Sequence, residues 1–476
     1  MNRLRKWTAL ISIATLSISL IGCQSDEDLK TVDKEQIIRI ADITGTGEEY
    51  IRSQYTDIYE FAHPKTKMEF PQVIDQPYYY GYDGATPSPT PDPVKALKKA
   101  MTGPNPPDLV KVNVTQLQAL IEENLLAPMD PLAQRDQFDL NALVPAVREG
   151  LKTLGDGKLY GLAPFFNSNA LVFNKKLFTD AGVPFPKDGM TWDEVFDLAK
   201  RVSKGDGKNR TYGLAMGRSG DIFYDMNMYV APLGLNIVND DATEMTVDSD
   251  DWEAVWKKMI NLQKEKVITS PPDYSMGYDQ VAFFGDPFMS GQAAMLAVLT
   301  YDIQQIIDAN KNASKIKNFK AIDWDIVTLP THPEAPNMGP PIFMDAIFAI
   351  NAKAQNTDGA WELLKFMNGE DFSKLKSRST YQFVSRDAYI KPAPGLNYNV
   401  KAFTKLTPSF ESNTERHQLN SPNFYSVQDL GRQKLQLVLE GKKSVREALK
   451  EWQTEGNTLL KQNPTANSMI NQRVEY

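Results

Sequence analysis

The sequence predicts an α/β protein of two lobes, each built from segments that are not contiguous in the chain. Three observations predict it. The chain has 476 residues, and roughly 440 of them lie beyond the first polar stretch, more than one hydrophobic core ordinarily supports. Short apolar segments alternate with amphipathic ones across short links, the order of a mainly parallel sheet covered on both faces. The Pro- and Gly-containing stretches do not cut the chain into two clean halves, and no repeat of solenoid period occurs.

The first 35 residues stand apart from this pattern. Arg3, Arg5 and Lys6 precede an uncharged run, Trp7 to Gly22, and small Gly22 precedes Cys23, the one cysteine in the chain. A basic start, an apolar run and a small residue predict a secretory signal over 1–22; an uncleaved anchor helix is the alternative. A single cysteine forms no internal disulfide. A nucleophile needs a base and an orienting group, which a position outside any folded core lacks. Leu20-Ile21-Gly22-Cys23 resembles the lipobox of bacterial lipoproteins, which implies a lipid on Cys23 and an extracytoplasmic, membrane-tethered protein. Residues 23–35 are polar and charged and predict a flexible tether. No other uncharged apolar run approaches a membrane span.

The formal net charge is -8, and removing the three basic residues of the leader leaves -11. An acidic surface excludes nucleic acid as a partner, because that binding relies on Lys and Arg neutralising phosphates. It also excludes adhesion to anionic lipid beyond the anchor. The 42% hydrophobic content is that of an ordinary globular protein.

The elements follow in order. "QIIRIADITG" is a strand ending in Thr and Gly, and "MEFPQVIDQ" a second strand. "PYYYGYDGATPSPTPDP" is dense in Tyr, Pro and Gly and predicts a long loop. "DPVKALKKAM" is a short helix, "PPDLVKVNV" a strand and "TQLQALIEENLL" a helix. "GKLYGLAPFFNSNALVFNKKLF" holds two strand segments. "TWDEVFDLAKRVSK" carries a capping box, Thr191 at the N-cap and Glu194 three residues on. "DWEAVWKKMINLQKE" is amphipathic; "QAAMLAVL", "WDIVTLP" and "DAIFAIN" are strands; "AWELLKFMN" is a helix closed by Gly369. The tail "SVREALKEWQTEGNTLL" places Val445, Leu449, Trp452, Leu459 and Leu460 on one helical side.

Local signatures of catalysis and metal binding are missing. His63, His332 and His417 lie far apart with no second ligand at metal spacing. "GTGEEY" lacks the third Gly of a dinucleotide fingerprint, and "GRSGD" lacks the closing Gly of a nucleophile elbow. "NDDATEMTVDSDD" is acidic but lacks the Gly and spacing of a calcium loop. Paired carboxylates of a glycosidase can come from anywhere in a chain, and no local signal favours them.

The run from Gly157 to Lys200 carries a resemblance. Gly161 to Pro164 and Ala170-Leu171-Val172 flank a crossing segment; Phe173-Asn174-Lys175 leads to Leu177-Phe178, then Ala181-Gly182-Val183-Pro184; Thr191-Trp192-Asp193-Glu194 opens a helix. With "FMSGQAAMLAV", "AWELLKFMNGEDF" and "VLEGKKSVREALKEWQTEGNTLL" behind it, this order resembles family 1 extracellular solute-binding proteins of ABC transporters, the maltose-binding-protein-like group, from Gln36 to Leu460. Phe173 stands where the family prefers Tyr, and Phe165 where it prefers a small or polar residue. The resemblance implies a type II, Venus-flytrap periplasmic-binding-protein fold with a hinge. The expected division is 36–164 with 345–382 in one lobe and 165–344 with 383–476 in the other. It implies a solute held in the interlobe cleft, an ABC permease as partner, a monomer, no cofactor and no enzymatic activity.

Sugar recognition asks for flat rings over C–H faces and polar groups for each hydroxyl. By position in the family, the expected contacts are Thr44, Gly45, Thr46 and Glu48 after the first strand, and Asn113 after "PPDLVKV". Phe166 and Asn167 stand at the first crossover, Asp221, Phe223, Tyr224 and Asp225 past "GRSGD", and Tyr301 and Asp302 after "QAAMLAVL". Phe343, Met344 and Asp345 stand at the second crossover, Phe424 and Tyr425 in "SPNFYSVQ". Each has an ordinary reading too: phenylalanines as core, asparagines as turn caps, aspartates as ion pairs, Glu48 as a helix start. Tyr78, Tyr79, Tyr80 and Tyr82 form a lip over the cleft or pack within their own loop. An oligosaccharide is the expected ligand. A polyamine or organic anion, service to a sensor kinase, and a secreted glycosidase are the rival readings.

Overall fold

The computed structural model describes residues 35–73, 93–272, 282–344, 346–378, 382–409, 421 and 423–462. Cys23 with its leader, tyrosines 78–82 and Asp345 lie outside the described residues.

Two hydrophobic cores form around two sheets. The first sheet has the order β2-β1-β3-β9, with β1 (Gln36–Asp42) parallel to β2 (Thr66–Glu69) and β3 (Leu109–Val112). Every residue of β3 and of β9 (Ile347–Ile350) is buried, as expected of central strands with helices on both faces. β9 returns from the second lobe and pairs antiparallel with β3, Leu109 opposite Ile350 and Val112 opposite Ile347. Asp108, fully buried, accepts the Arg39 and Asn356 backbone N–H groups at 2.9 and 2.8 Å and ties the distant segment to β1.

The second sheet differs from the mainly parallel one the sequence predicts. β5 (Asn169–Asn174) lies between β6 (Met295–Leu299) and β7 (Trp324–Val327), antiparallel to both. Strand–helix alternation does not encode direction here, because both partners of β5 arrive more than a hundred residues downstream. Parallel bridges flank this sheet, among them Ala215 with Leu296, Tyr212 with Ala293 and Leu214 with Ile268. Along β5, Leu171 and Phe173 enter one core, with Trp256 and Trp452, while Ala170 and Val172 face a second cluster with Phe288 and Ile306. Period-two alternation with apolar residues at every position thus buries both faces.

Three crossings join the lobes. β4 (Phe165–Phe166) pairs antiparallel with β10 (Phe383–Val384), Phe166 opposite Phe383. The chain on either side of β4 bonds the second crossing, Leu162 with Phe348 and Asn167 with Phe343. β8 (Met338–Gly339) pairs with β11 (Thr407–Pro408) beside it. The first lobe's core reaches past the expected boundaries to take in Phe165, Phe166, Ile342 and Met344.

Helix entries follow the sequence. Thr191 and Glu194 form the expected capping box, and Asn113/Gln116 and Ser444/Glu447 form two more. Among the described residues no helix is long and apolar enough to cross a membrane.

Candidate functional site

In open α/β sheets, ligands bind in the crevice beyond the carboxyl ends of the strands. In the first lobe that end is a polar knot. Asp42, the last residue of β1, accepts the Thr44 N–H at 2.9 Å, the Thr44 hydroxyl at 2.7 Å and, through Oδ2, the Thr46 hydroxyl at 3.0 Å. Lys111, opposite Asp42 in β3, sends Nζ to the Thr44 and Thr46 hydroxyl oxygens at 2.5 and 3.1 Å. Its side chain is 1% exposed and lies 3.4 Å from Asp42 Oδ1. Gly45 turns the chain between the two threonines with φ 77°. The hydroxyls are therefore oriented by a buried ion pair whose carboxylate accepts their protons in hydrogen bonds, which leaves each a fixed acceptor lone pair for a polar ligand. Glu48 starts the helix Glu48–Ile51 and pairs with Arg52 at 2.7 Å. Asn113 caps the helix Val114–Glu122, its side chain engaged by the Gln116 N–H.

At the crossings, neighbouring aromatic residues separate into core and surface. Phe166 is fully buried against Phe383, and Met344 is buried in the first lobe's core. Phe343, whose backbone bonds that of Asn167, is 49% exposed. Asn167 is 8% exposed, and its Oδ1 has no hydrogen-bond partner among the described residues. Thr300 bonds the Ser168 backbone, which sets Tyr301 beside the crossing.

The second lobe's wall runs on from Tyr301, which is half-exposed. Burial, then the neighbouring Asp302 charge, pushes its phenol pKa up, so it stays a neutral donor. Asp302 accepts the Leu299 N–H at 2.7 Å and pairs with Arg218 at 2.9 Å; Arg218 also pairs with Asp286. Next to Arg218, Gly217 lets the Asp225 carboxyl pack on bare backbone, for a Cβ there would stand 2.1 Å from Oδ1. Burial, and secondarily Asp221, pushes the Asp225 carboxyl up to about 7. Asp221 caps the helix Ile222–Asp225 and pairs with Arg432 at 2.7 Å. The Arg432 guanidinium lies 5.9 Å from the centre of the exposed Tyr224 ring. Tyr425 is exposed seven residues, two turns, before Arg432 on the same helix, Phe424–Leu439. Phe223 and Phe424 belong to the core instead, Phe223 against Trp452 at 5.6 Å. The structure thus strings Asn167, Phe343, Tyr301, Asp302, Asp225, Tyr224, Asp221 and Tyr425 along connected segments and takes Phe166, Phe223, Met344 and Phe424 out of reach.

The family model described as bacterial extracellular solute-binding protein matches residues 85–372. The chain belongs to this solute-binding family. This solute-binding protein has the two-lobe fold of its structural neighbours. A sugar transporter of Rhizobium etli, solved in an open conformation, superposes with TM-score 0.61 and 21% identity over 89% of this chain and 99% of that one. A binding protein of Brucella abortus is 23% identical over 362 residues, 74% of this chain and 80% of its own. The diacetylchitobiose binding protein of Streptomyces coelicolor is 24% identical over 247 residues, 48% of this chain and 52% of its own.

Sequence reasoning missed Asp42, Lys111, Arg218 and Arg432 as organisers of this solute-binding protein's walls. One signal was available: Lys111 is the single charge between Leu109 and Val114, inside a run that otherwise reads as a buried strand. Tyr50 was also missed. It is 40% exposed and rests on Tyr55, which packs on Phe165 of β4. No group of three His, Cys, Asp or Glu able to hold a metal occurs among the described residues.

Proposed function

We propose that this protein captures an oligosaccharide between its lobes and delivers it to an ABC permease, tethered outside the cytoplasm by a lipid on Cys23. The observation that carries the sugar reading is the set of exposed rings Tyr224, Tyr301, Phe343 and Tyr425, together with the oriented hydroxyls of the first lobe and the buried amide oxygen of Asn167, unpaired among the described residues. Rings cover sugar C–H faces and the polar groups bond hydroxyls. The named ligand of the Streptomyces relative and the sugar transporter from Rhizobium support the same class. The three crossings serve as the hinge between residues 36–164 with 345–382 and residues 165–344 with 383–476. The ligand shifts the closed population only by its extra affinity for that state.

The polyamine reading weakens on the same geometry. Asp221 is paired with Arg432 and Asp302 shares Arg218 with Asp286, and the raised pKa of Asp225 discounts its negative charge near neutrality. A thermal-shift panel on residues 24–476, with malto- and chito-oligosaccharides against spermidine and citrate, tests the proposal. Saturable stabilisation by a sugar oligomer without hydrolysis supports it; stabilisation by spermidine alone, or product formation, overturns it.

A further inference from the structure

A cavity of about 390 Å³ lies between the lobes at the third crossing, a volume within the range of small-molecule sites. The helix Glu370–Lys376 and the residues after it supply one wall, and the helix Asp302–Lys311 of the second lobe supplies the other. Its base is apolar: Ile303 and Ile307 face Phe383 of β10, which packs edge-on against Phe403 at 5.4 Å. Tyr398 closes the floor, its phenol oxygen accepting the Ala393 N–H at 3.2 Å.

The rim has one sign of charge. Lys374, Arg378 and Lys391 line it, no Asp or Glu lines it, and none of the three cations forms an ion pair among the described residues. Lys391 Nζ instead lies 5.8 Å from the centre of the Tyr389 ring, whose hydroxyl donates to Glu370 at 3.0 Å. Three unpaired cations around one concavity stand out in a chain of net charge -8. Low-dielectric walls focus such a field on whatever enters. The lining shares no residue with the rings and hydroxyls proposed for the sugar.

We infer that this cavity is a second ligand site, for a small organic anion that lays its carbon body on the Phe383–Tyr398 floor and its carboxylate or phosphate between Arg378 and the two lysines. Guanidinium forks match both anions, and the lysines act as point charges. Because the walls come from different lobes, the bound anion bears on their separation, and its affinity and the sugar's are linked reciprocally.

The test is calorimetric titration of the lipid-free chain with citrate and, separately, glucose 6-phosphate, against sodium chloride of equal ionic strength. The variants are the double exchange Lys374→Gln with Arg378→Gln, the exposed control Lys450→Gln, and Tyr301→Ala. The expected result is saturable binding of at least one anion, weakened about tenfold or more in the double variant and unchanged in the other two. Heats no larger than those of the salt, equal affinity in the double variant, or loss on Tyr301→Ala would each overturn the site. The last would place the anion in the sugar cleft.

Discussion

Replacing Gly431 by Ala sets two physical effects against each other. The residue sits in the middle of the helix Phe424–Leu439, where Ala is favoured over Gly by about 1 kcal/mol on propensity alone. Yet a Cβ at 431 would stand 2.3 and 2.4 Å from Cζ2 and Cε2 of Trp452 and 2.8 Å from Cε2 of Phe223, against an ordinary contact of 3.4–4 Å. The indole has nowhere to go. Trp452 is fully buried, stacks on Trp256 at 5.6 Å, meets Phe223 at 5.6 Å, and donates Nε1–H to the Val427 carbonyl at 2.8 Å. A displacement of about an ångström in such a core costs roughly 1–3 kcal/mol, and with the ring held on three sides the upper half of that range applies. The net expectation is a destabilisation of about 1–2 kcal/mol, a fall in Tm of roughly 2–8 °C for a unit of this size. Circular-dichroism melts and urea titration of the lipid-free chain measure it. Adding Trp452→Phe relieves the clash, so the double variant loses less than the sum of the singles. A melting point equal to or above the parent's, or strict additivity, would refute the claim that Gly431 exists to admit the indole.

Three further outcomes follow from the site and its supports. Tyr301→Ala removes an exposed ring and is expected to weaken sugar binding about tenfold with Tm nearly unchanged, whereas Phe166→Ala empties a buried position and costs about 3–5 kcal/mol of stability; calorimetry and melts read the contrast. Asp225 has a folded-state pKa of about 7, above its unfolded value, so its contribution to stability is present in acid and lost as pH rises through about 7; Asp225→Asn should flatten that part of the stability–pH curve, and an unchanged curve would count against the burial argument. His332 is buried with Nε2 donating to the Tyr229 carbonyl at 2.7 Å, and burial pulls its pKa down. The folded state therefore resists protonation, and stability falls as pH drops below the ordinary histidine value near 6.5, a slope that His332→Gln should remove in urea midpoints measured across that range.

Local periodicity and end signals were sufficient for many elements, but the helices Pro145–Leu154, Asp302–Lys311 and Phe424–Leu439 were not read from them. The capping box at Thr191 and the stripe through Val445, Leu449 and Trp452 are written in residues three and four apart. The family order of motifs, spread from Gln36 to Leu460, was sufficient for two lobes with a hinge. Strand direction in the second lobe was not legible, because β5 meets β6 and β7 only after long excursions of the chain.

The site divided on the same ground. Composition and position pointed to Phe166 and Phe343 alike, yet one is sealed by Phe383 and the other stands at the surface. Asp302 and Asp221 read equally as ligand contacts and as ion pairs until Arg218 and Arg432 arrive from elsewhere in the chain to pair with them. Helix ends, amphipathic faces and the chemistry on offer are short-range matters of spacing and side-chain type, and the sequence by itself determined them. Which ring is core, which carboxylate keeps its charge and which hydroxyl is aimed depend on partners tens to hundreds of residues away, and only the tertiary structure decided them.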